Sequence, residues 1–216
     1  MARYEEGAYA FNTENYEKAM RIMLPLAREG DVNAQLSVAS MYFSGLGVQQ
    51  DYRQAIKWYR PGAEQGHPVA QHSLAIALLS LDIIDEAIEY LLEADKQNVT
   101  VAQSCLGDIF TGAYNFPKEA LEKFDFSFDE ALEWYQKAGE GGFPYAYHRL
   151  GEISEARGGD SQENEAVALD FYHKAAKQGY VPSQMVLARA YQDGLLGLPI
   201  DLEQAQYWFR QAQENN

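Results

Sequence analysis

The side chains able to do chemistry are few and scattered. Four histidines occur: His67, His72, His148 and His173. A helix-borne metal site needs two imidazoles four residues apart, so that both rings leave one face, with a glutamate between them. No pair here has that spacing. Cys105 is the only cysteine, so an internal disulfide is impossible and a cysteine-based metal site lacks ligands. Beside Leu106-Gly107 it reads as a small buried residue of a tight helix. Gly45-Leu46-Gly47 has the glycines of a phosphate loop. Such a loop also needs a following Lys-Ser or Lys-Thr and a preceding strand, and neither is there. It reads as a turn between helices. Carboxylates are plentiful, but no spacing sets two of them across a cleft. The sequence offers no catalytic residue, no cofactor site and no metal site.

Composition narrows the partners. Of 216 residues, 47% are hydrophobic and 23% charged, which suits a folded chain with a sizeable core. Seventeen basic and 32 acidic residues leave a net charge of −15. Nucleic acid and anionic membrane both need a basic surface, so neither is the expected partner. A basic protein segment fits, and the charge also serves solubility. Two stretches hold most of it: residues 70–101 carry 6 acidic and 1 basic residue, residues 102–145 carry 8 and 3. No run of about 18 apolar residues exists, so no membrane span is expected. Glu5, Glu6, Glu14 and Glu17 occupy the first twenty residues, which argues against a signal peptide and for the cytoplasm.

Spacing then reveals what must position these residues. Six segments pair a small residue with a large one three positions on: Ala19/Ile22, Ala55/Trp58, Ala87/Tyr90, Ala131/Trp134, Ala168/Phe171 and Ala205/Trp208. Twelve residues after each of the first five large residues comes another small one: Ala34, Ala70, Ala102, Ala146 and Ser183. That register never slips. The other interval varies, from 17 residues (Ala70 to Ala87) to 29 (Ala102 to Ala131). One connection is fixed in length and the other is a variable loop, which is the mark of a helical-hairpin repeat.

Each unit reads as two helices. Ala34, Val38, Ala39 and Tyr42 recur at helical spacing. Asn15, Asp51, Ser127, Asn164 and Asp201 stand four residues before a marker alanine, where each can cap a helix N-terminus. The third unit departs, with Ile83 at that place. The second helices run to Gly30, Gly66, Asn98, Gly142 or Gly179, all suited to a left-handed C-cap. Pro25 and Pro61 fall inside second helices and predict bends. A single hairpin cannot bury its apolar face, so the units must stack. The marker aromatics Trp58, Trp134 and Trp208 are expected to be buried between helices.

These residues resemble the Sel-1-like repeat, a branch of the tetratricopeptide superfamily. The resemblance is carried by Ala34-Gln35 through Tyr42, Gly45-Leu46-Gly47-Val48, Asp51, Ala55, Trp58-Tyr59 and Ala63-Glu64-Gln65-Gly66-His67, and again by Leu187-Ala188, Tyr191, Gly194, Asp201, Ala205 and Trp208-Phe209. Unit three lacks the Gly-x-Gly-Val loop, unit four carries an insertion around 113–126, and unit five has Ser154 in place of the usual Tyr. The resemblance implies an all-α fold, a right-handed superhelical α-solenoid of about six repeats. It makes one domain of residues 1–216, with units at about 1–33, 34–69, 70–101, 102–145, 146–182 and 183–216. It also implies an adaptor or scaffold, often bacterial, with some relatives in host interaction or toxin immunity. Disulfide-held members of the family are excluded by the single Cys.

Family register implies which residues of the first helices face a partner on the concave surface. They are Tyr4 and Phe11; Asn33, Leu36, Ser40 and Phe43; His72, Ile76 and Leu79; Ser104 and Asp108; Tyr145, His148, Glu152 and Glu155; and Met185, Arg189 and Gln192. Shifted by one residue, the same positions would pack between helices. In the insertion, Pro117 followed by Lys-Glu-Ala-Leu-Glu-Lys reads as a short extra helix. Tyr114 and Phe116 either fold onto their own hairpin or form a lip toward the partner. The expected function is non-catalytic binding of a protein or peptide, with no cofactor. Two alternatives stand beside it: an immunity-type inhibitor that occludes a bacterial toxin, and an enzyme or enzyme subunit with an acidic groove.

Overall fold

The computed structural model describes residues 2–114, 116–158 and 162–215. Asn115 of the insertion and the terminal residues 1 and 216 of the six-unit scheme lie outside the described residues. Among the described residues there are thirteen helices and no strand. They fall into hairpins: α1 (Ala2–Asn12) with α2 (Tyr16–Arg28), α3 (Val32–Ser44) with α4 (Tyr52–Glu64), and α5 (Pro68–Leu79) with α6 (Ile84–Asp95). The fourth hairpin is α7 (Thr100–Phe110) and α9 (Phe128–Glu140), with the short α8 (Lys118–Leu121) in the connection. Then come α10 (Pro144–Gly158) with α11 (Gln162–Lys177), and α12 (Val181–Asp193) with α13 (Leu202–Glu214). No described helix is long and apolar enough to cross a membrane.

The chain packs as two compact units, Met1–Ala102 with Lys118–Leu121, and Gln103–Pro117 with Glu122–Asn216. In each, consecutive helices pack side by side, as short connections require.

The fixed connection has a specific cause. At all five turns from a second helix to the next first helix, one residue takes the left-handed conformation: Gly30, Gly66, Asn98, Gly142 and Gly179, with φ from 58° to 96°. The following amide donates to the carbonyl five residues back, as in Asp31 to Leu26 (3.1 Å), His67 to Gly62 (3.0 Å) and Phe143 to Ala138 (3.0 Å). The left-handed residue donates three back, as in Gly66 to Ala63 (2.9 Å). This is a Schellman turn, and it has no room for an inserted residue.

The glutamines after Ala34, Ala70 and Ser183 finish the same joint. Gln35, Gln71 and Gln184 are buried, and each donates from Nε2 to the carbonyl eight residues earlier: Ala27 (3.2 Å), Ala63 (3.4 Å) and Ala176 (3.0 Å). Those carbonyls already accept from Gly30, Gly66 and Gly179, so the glutamine fills the second lone pair.

The caps at Asn15, Asp51, Ser127 and Asp201 are as the spacing predicts, Ser127 with Glu130 in a full capping box. Asn164 is a correction: α11 begins at Gln162, so Asn164 lies within the helix. Pro25 and Pro61 do sit inside α2 and α4. The tryptophans need a second correction. Trp208 is buried, but Trp58 and Trp134 are half-buried. The positions one residue later, Tyr59, Tyr135 and Tyr172, are the deep ones. For Tyr135 and Tyr172 the reason is the glycine across the hairpin. A Cβ on Gly107 would lie 2.8 Å from the Tyr135 ring, and one on Gly151 2.7 Å from the Tyr172 ring. Rings pressed that closely on a backbone take the core position and leave the marker tryptophan at its edge.

Candidate functional site

In unit 1, the first helices α1, α3 and α5 share an open groove of about 280 Å³. Phe11, Leu36 and Val69 supply apolar surface, and Ser37, Ser40, Ser73 and Tyr59 supply hydroxyls. Tyr59 reaches it from α4 and is buried; burial pushes its phenol up, against the pull of hydrogen bonds with Ser40 and Ser73. Val69 is 56% exposed, a large apolar side chain left in water. Phe11, Leu36 and Ser40 are groove residues expected from the sequence. Tyr59, Val69, Ser37 and Ser73 are not among those expected. Ser37 and Ser73 occupy the same place in successive units, a signal the spacing did carry. Of the other expected residues here, Tyr4, Phe43, His72 and Ile76 are half-buried, Asn33 is exposed and Leu79 is buried.

Unit 2 builds a polar network from its first helices. Asp108 on α7 is 9% exposed. It accepts from the hydroxyls of Tyr135 (2.7 Å) and Tyr145 (3.0 Å), and Arg149 Nε lies 3.4 Å from the same oxygen, within ion-pair reach but off line for a hydrogen bond. Arg149 also donates to Glu152 (2.5 Å). Burial raises both phenols, and the Asp108 charge beside them adds to it. Burial opposes the Arg149 charge, but Tyr135 and Glu152 outweigh it and the guanidinium is raised further. His148 Nδ1 meets Ser183 Oγ at 2.8 Å, and the Tyr172 hydroxyl donates to Glu155 (2.9 Å). Asp108, His148 and Ser104 are therefore packed among helices. Tyr145, Glu152 and Met185 are half-buried; Glu155, Arg189 and Gln192 are exposed.

The remaining chemistry-bearing groups are also spent on structure. His67 caps α5, its Nδ1 accepting from the Ala70 amide (3.4 Å). Cys105 is 6% exposed, and burial pushes its thiol up to about 12. In the insertion, Phe126 lies 5.2 Å from Phe110 and 4.7 Å from Trp134, and Phe124 lies 6.2 Å from Phe110, so these rings fold onto their own hairpin. Tyr114 stacks on Phe116 at 5.2 Å and is 39% exposed.

The Sel1 repeat pattern matches residues 32–67, 144–180 and 181–216, which are the second, fifth and sixth hairpins, and residues 122–143, which hold α9 of the fourth. The chain belongs to the Sel1 repeat family. It is 38% identical over 203 residues to protein sel-1 homolog 2 of Rattus norvegicus, covering 94% of this chain and 25% of that protein. An uncharacterized protein of Neisseria meningitidis serogroup B is 29% identical over 204 residues, covering 94% of this chain and 39% of the relative. The chain thus spans well under half the length of these curated relatives. Among solved structures, a Sel1 repeat protein from Oxalobacter formigenes matches with a TM-score of 0.70 and 27% identity, covering 99% of this chain and 83% of that one. Immunity protein Pa5087 from Pseudomonas aeruginosa shares the fold at a TM-score of 0.64 and 17% identity, covering 99% and 81%. In Sel1 terms, Gln35, Gln71 and Gln184 and the turn glycines they serve are each one joint. The first-helix face is what the joint holds in register.

Proposed function

We propose that this Sel1 repeat chain is a non-catalytic adaptor that holds a protein or peptide segment against the first-helix face. The observation that carries this is the unit 1 groove. Three successive first helices line it, its walls are apolar, its hydroxyls can orient a peptide backbone, and Val69 stands exposed at its edge. His67, Cys105, Asp108 and His148 are committed to caps and packing, which supports binding over catalysis. Single unpaired, buried Cys105 fits a reducing compartment such as the cytoplasm. The charge of −15 favours a basic partner segment. Affinity purification with the whole chain, quantified by mass spectrometry, tests the groove. A partner captured by the native chain should be lost with Leu36→Arg and with Val69→Arg. Equal capture by both variants would remove the groove from the account.

A second form of the same activity is an immunity-type protein that occludes a bacterial toxin. It is favoured by the fold shared with immunity proteins over 99% of the chain. Identification of a captured partner with toxic activity, neutralised on binding, would select it.

A further inference from the structure

The variable loop side of the hairpins is filled in some repeats and open in one. Eight residues after the small marker of a first helix stands a ring in three hairpins, Tyr42, Phe110 and Tyr191, and Leu78 in the third. Tyr42, Leu46, Val48 and Trp58 all pack against one buried cluster that includes Met23, Val38 and Met41. Phe110 lies 5.7 Å from Trp134 and 5.2 Å from Phe126. Tyr191, Leu196 and Phe209 all pack against another buried cluster, which includes Leu187 and Trp208. In the fifth hairpin this position is Ser154, whose hydroxyl turns back to its own helix, donating to the Leu150 carbonyl at 2.7 Å. In sequence, residues 158–161 read Gly-Gly-Asp-Ser and carry no large apolar side chain, where other loops have Leu46, Val48 or Leu196. A groove of about 370 Å³ lies here between α9 and α11, floored by α10. Leu132, Leu150, Ile153, Val167 and Phe171 line it, and Val167 is 42% exposed. Asp129, Glu133 and Arg157 stand among its lining residues. Arg157 pairs with Asp129 at 3.6 Å and lies 4.3 Å over the Phe128 ring. Two carboxylates against one guanidinium leave the polar edge acidic.

We propose that this groove docks a partner protein segment that inserts one aromatic side chain into the place of the missing ring, with a basic residue beside it against Asp129 and Glu133. A ring is the shape three sister hairpins put there, and Phe171 holds the position that Trp58 and Trp134 hold in theirs. The volume is at the small end of ligand pockets, about 300–1,000 Å³, and suits a single side-chain anchor. Buried aromatics are the residues that most often carry binding energy at interfaces. The acidic edge, on a chain of net charge −15, selects a basic neighbour. This site uses second helices of unit 2, so it stands or falls apart from the first-helix groove of unit 1.

The test pans phage-displayed random twelve-residue peptides on the whole chain and titrates the synthetic consensus peptide calorimetrically. The expected consensus places Phe, Tyr or Trp next to Lys or Arg. Ser154→Tyr should fill the groove, hold or raise the melting temperature, and weaken the peptide roughly tenfold or more. Ser154→Ala should change affinity by less than about twofold. If circular dichroism shows Ser154→Tyr to be misfolded, Val167→Arg at the exposed wall takes its place with the same expected loss. A consensus without an aromatic residue, equal binding to the filled groove, or peptides lost only with Leu36→Arg would each overturn the proposal. So would concentration-dependent sedimentation of the native chain that Ser154→Tyr abolishes, since the occupant would then be a second copy.

Discussion

Tyr135 matters more to unit 2 than the tryptophan beside it. Its ring is fully buried against Gly107, its hydroxyl serves Asp108, and Trp134 is only half-buried. Tyr135→Ala should therefore cost about 3–5 kcal/mol, because it leaves a cavity and strips a buried carboxylate of a donor. Trp134→Ala should cost less, and urea unfolding of the two variants gives the order. Cys105 makes a second expectation. With its thiol pushed up to about 12 by burial, it should resist a thiol-specific reagent at pH 8 in the native state and react once urea is added. Histidines give the third. His72, His148 and His173 are all lowered from 6.5, burial being the first cause in each. Below 6.5 the unfolded chain then binds more protons than the folded one. Their contribution to stability is full above 6.5 and is lost as pH falls through the lowered folded values. Melting temperature should drop from pH 7 to pH 5, and proton resonances of these rings should titrate with midpoints below 6.5.

The joint between hairpins is the element that fixes everything else. Its left-handed residue is tolerated by Gly because no Cβ must be placed there. At Gly66, φ is +79° and nothing lies within 4 Å of a built Cβ, so Gly66→Ala isolates backbone strain from packing. It should cost about 1–2 kcal/mol in chemical denaturation, with partner binding at saturating stability unchanged. This joint was largely legible in the sequence. Caps, turn glycines and the unslipping register are local, and local chemistry can be read residue by residue. The short helix after Pro117 was legible for the same reason. The start of α11 was not, because the helix extends two residues past the capping candidate Asn164. Trp against Tyr in the core was not legible either, since it turns on which backbone atom faces which ring. The network joining Asp108, Tyr135, Tyr145 and Arg149 spans 41 residues of sequence, and no periodicity announces it. The groove beside Ser154 lies between. The departure from Tyr was visible in the sequence, and the space it leaves required the packing of α9, α10 and α11.

At the scale of the molecule, charge acts in two opposite directions. Thirty-two acidic and 17 basic residues repel one another on average, which strains the compact state. The ion pairs that oppose this are mostly exposed, such as Lys18 with Glu6 at 3.0 Å and Lys174 with Asp170 at 2.8 Å, and such pairs are worth about 0–1 kcal/mol each. Repulsion therefore outweighs attraction over the surface. Added salt screens both, with a Debye length of about 10 Å at 0.1 M. The many long-range repulsions are reduced more than the few close pairs, so the melting temperature should rise between 10 mM and 200 mM sodium chloride. Binding of a basic partner segment draws on the same field with the opposite sign, and its association should slow and weaken over that range. The two measurements belong together. A melting temperature that rises while affinity falls identifies the acidic surface as a binding surface kept at some cost to stability. Affinity that holds constant while the melting temperature rises would confine the charge to solubility and leave the apolar grooves to carry the partner alone.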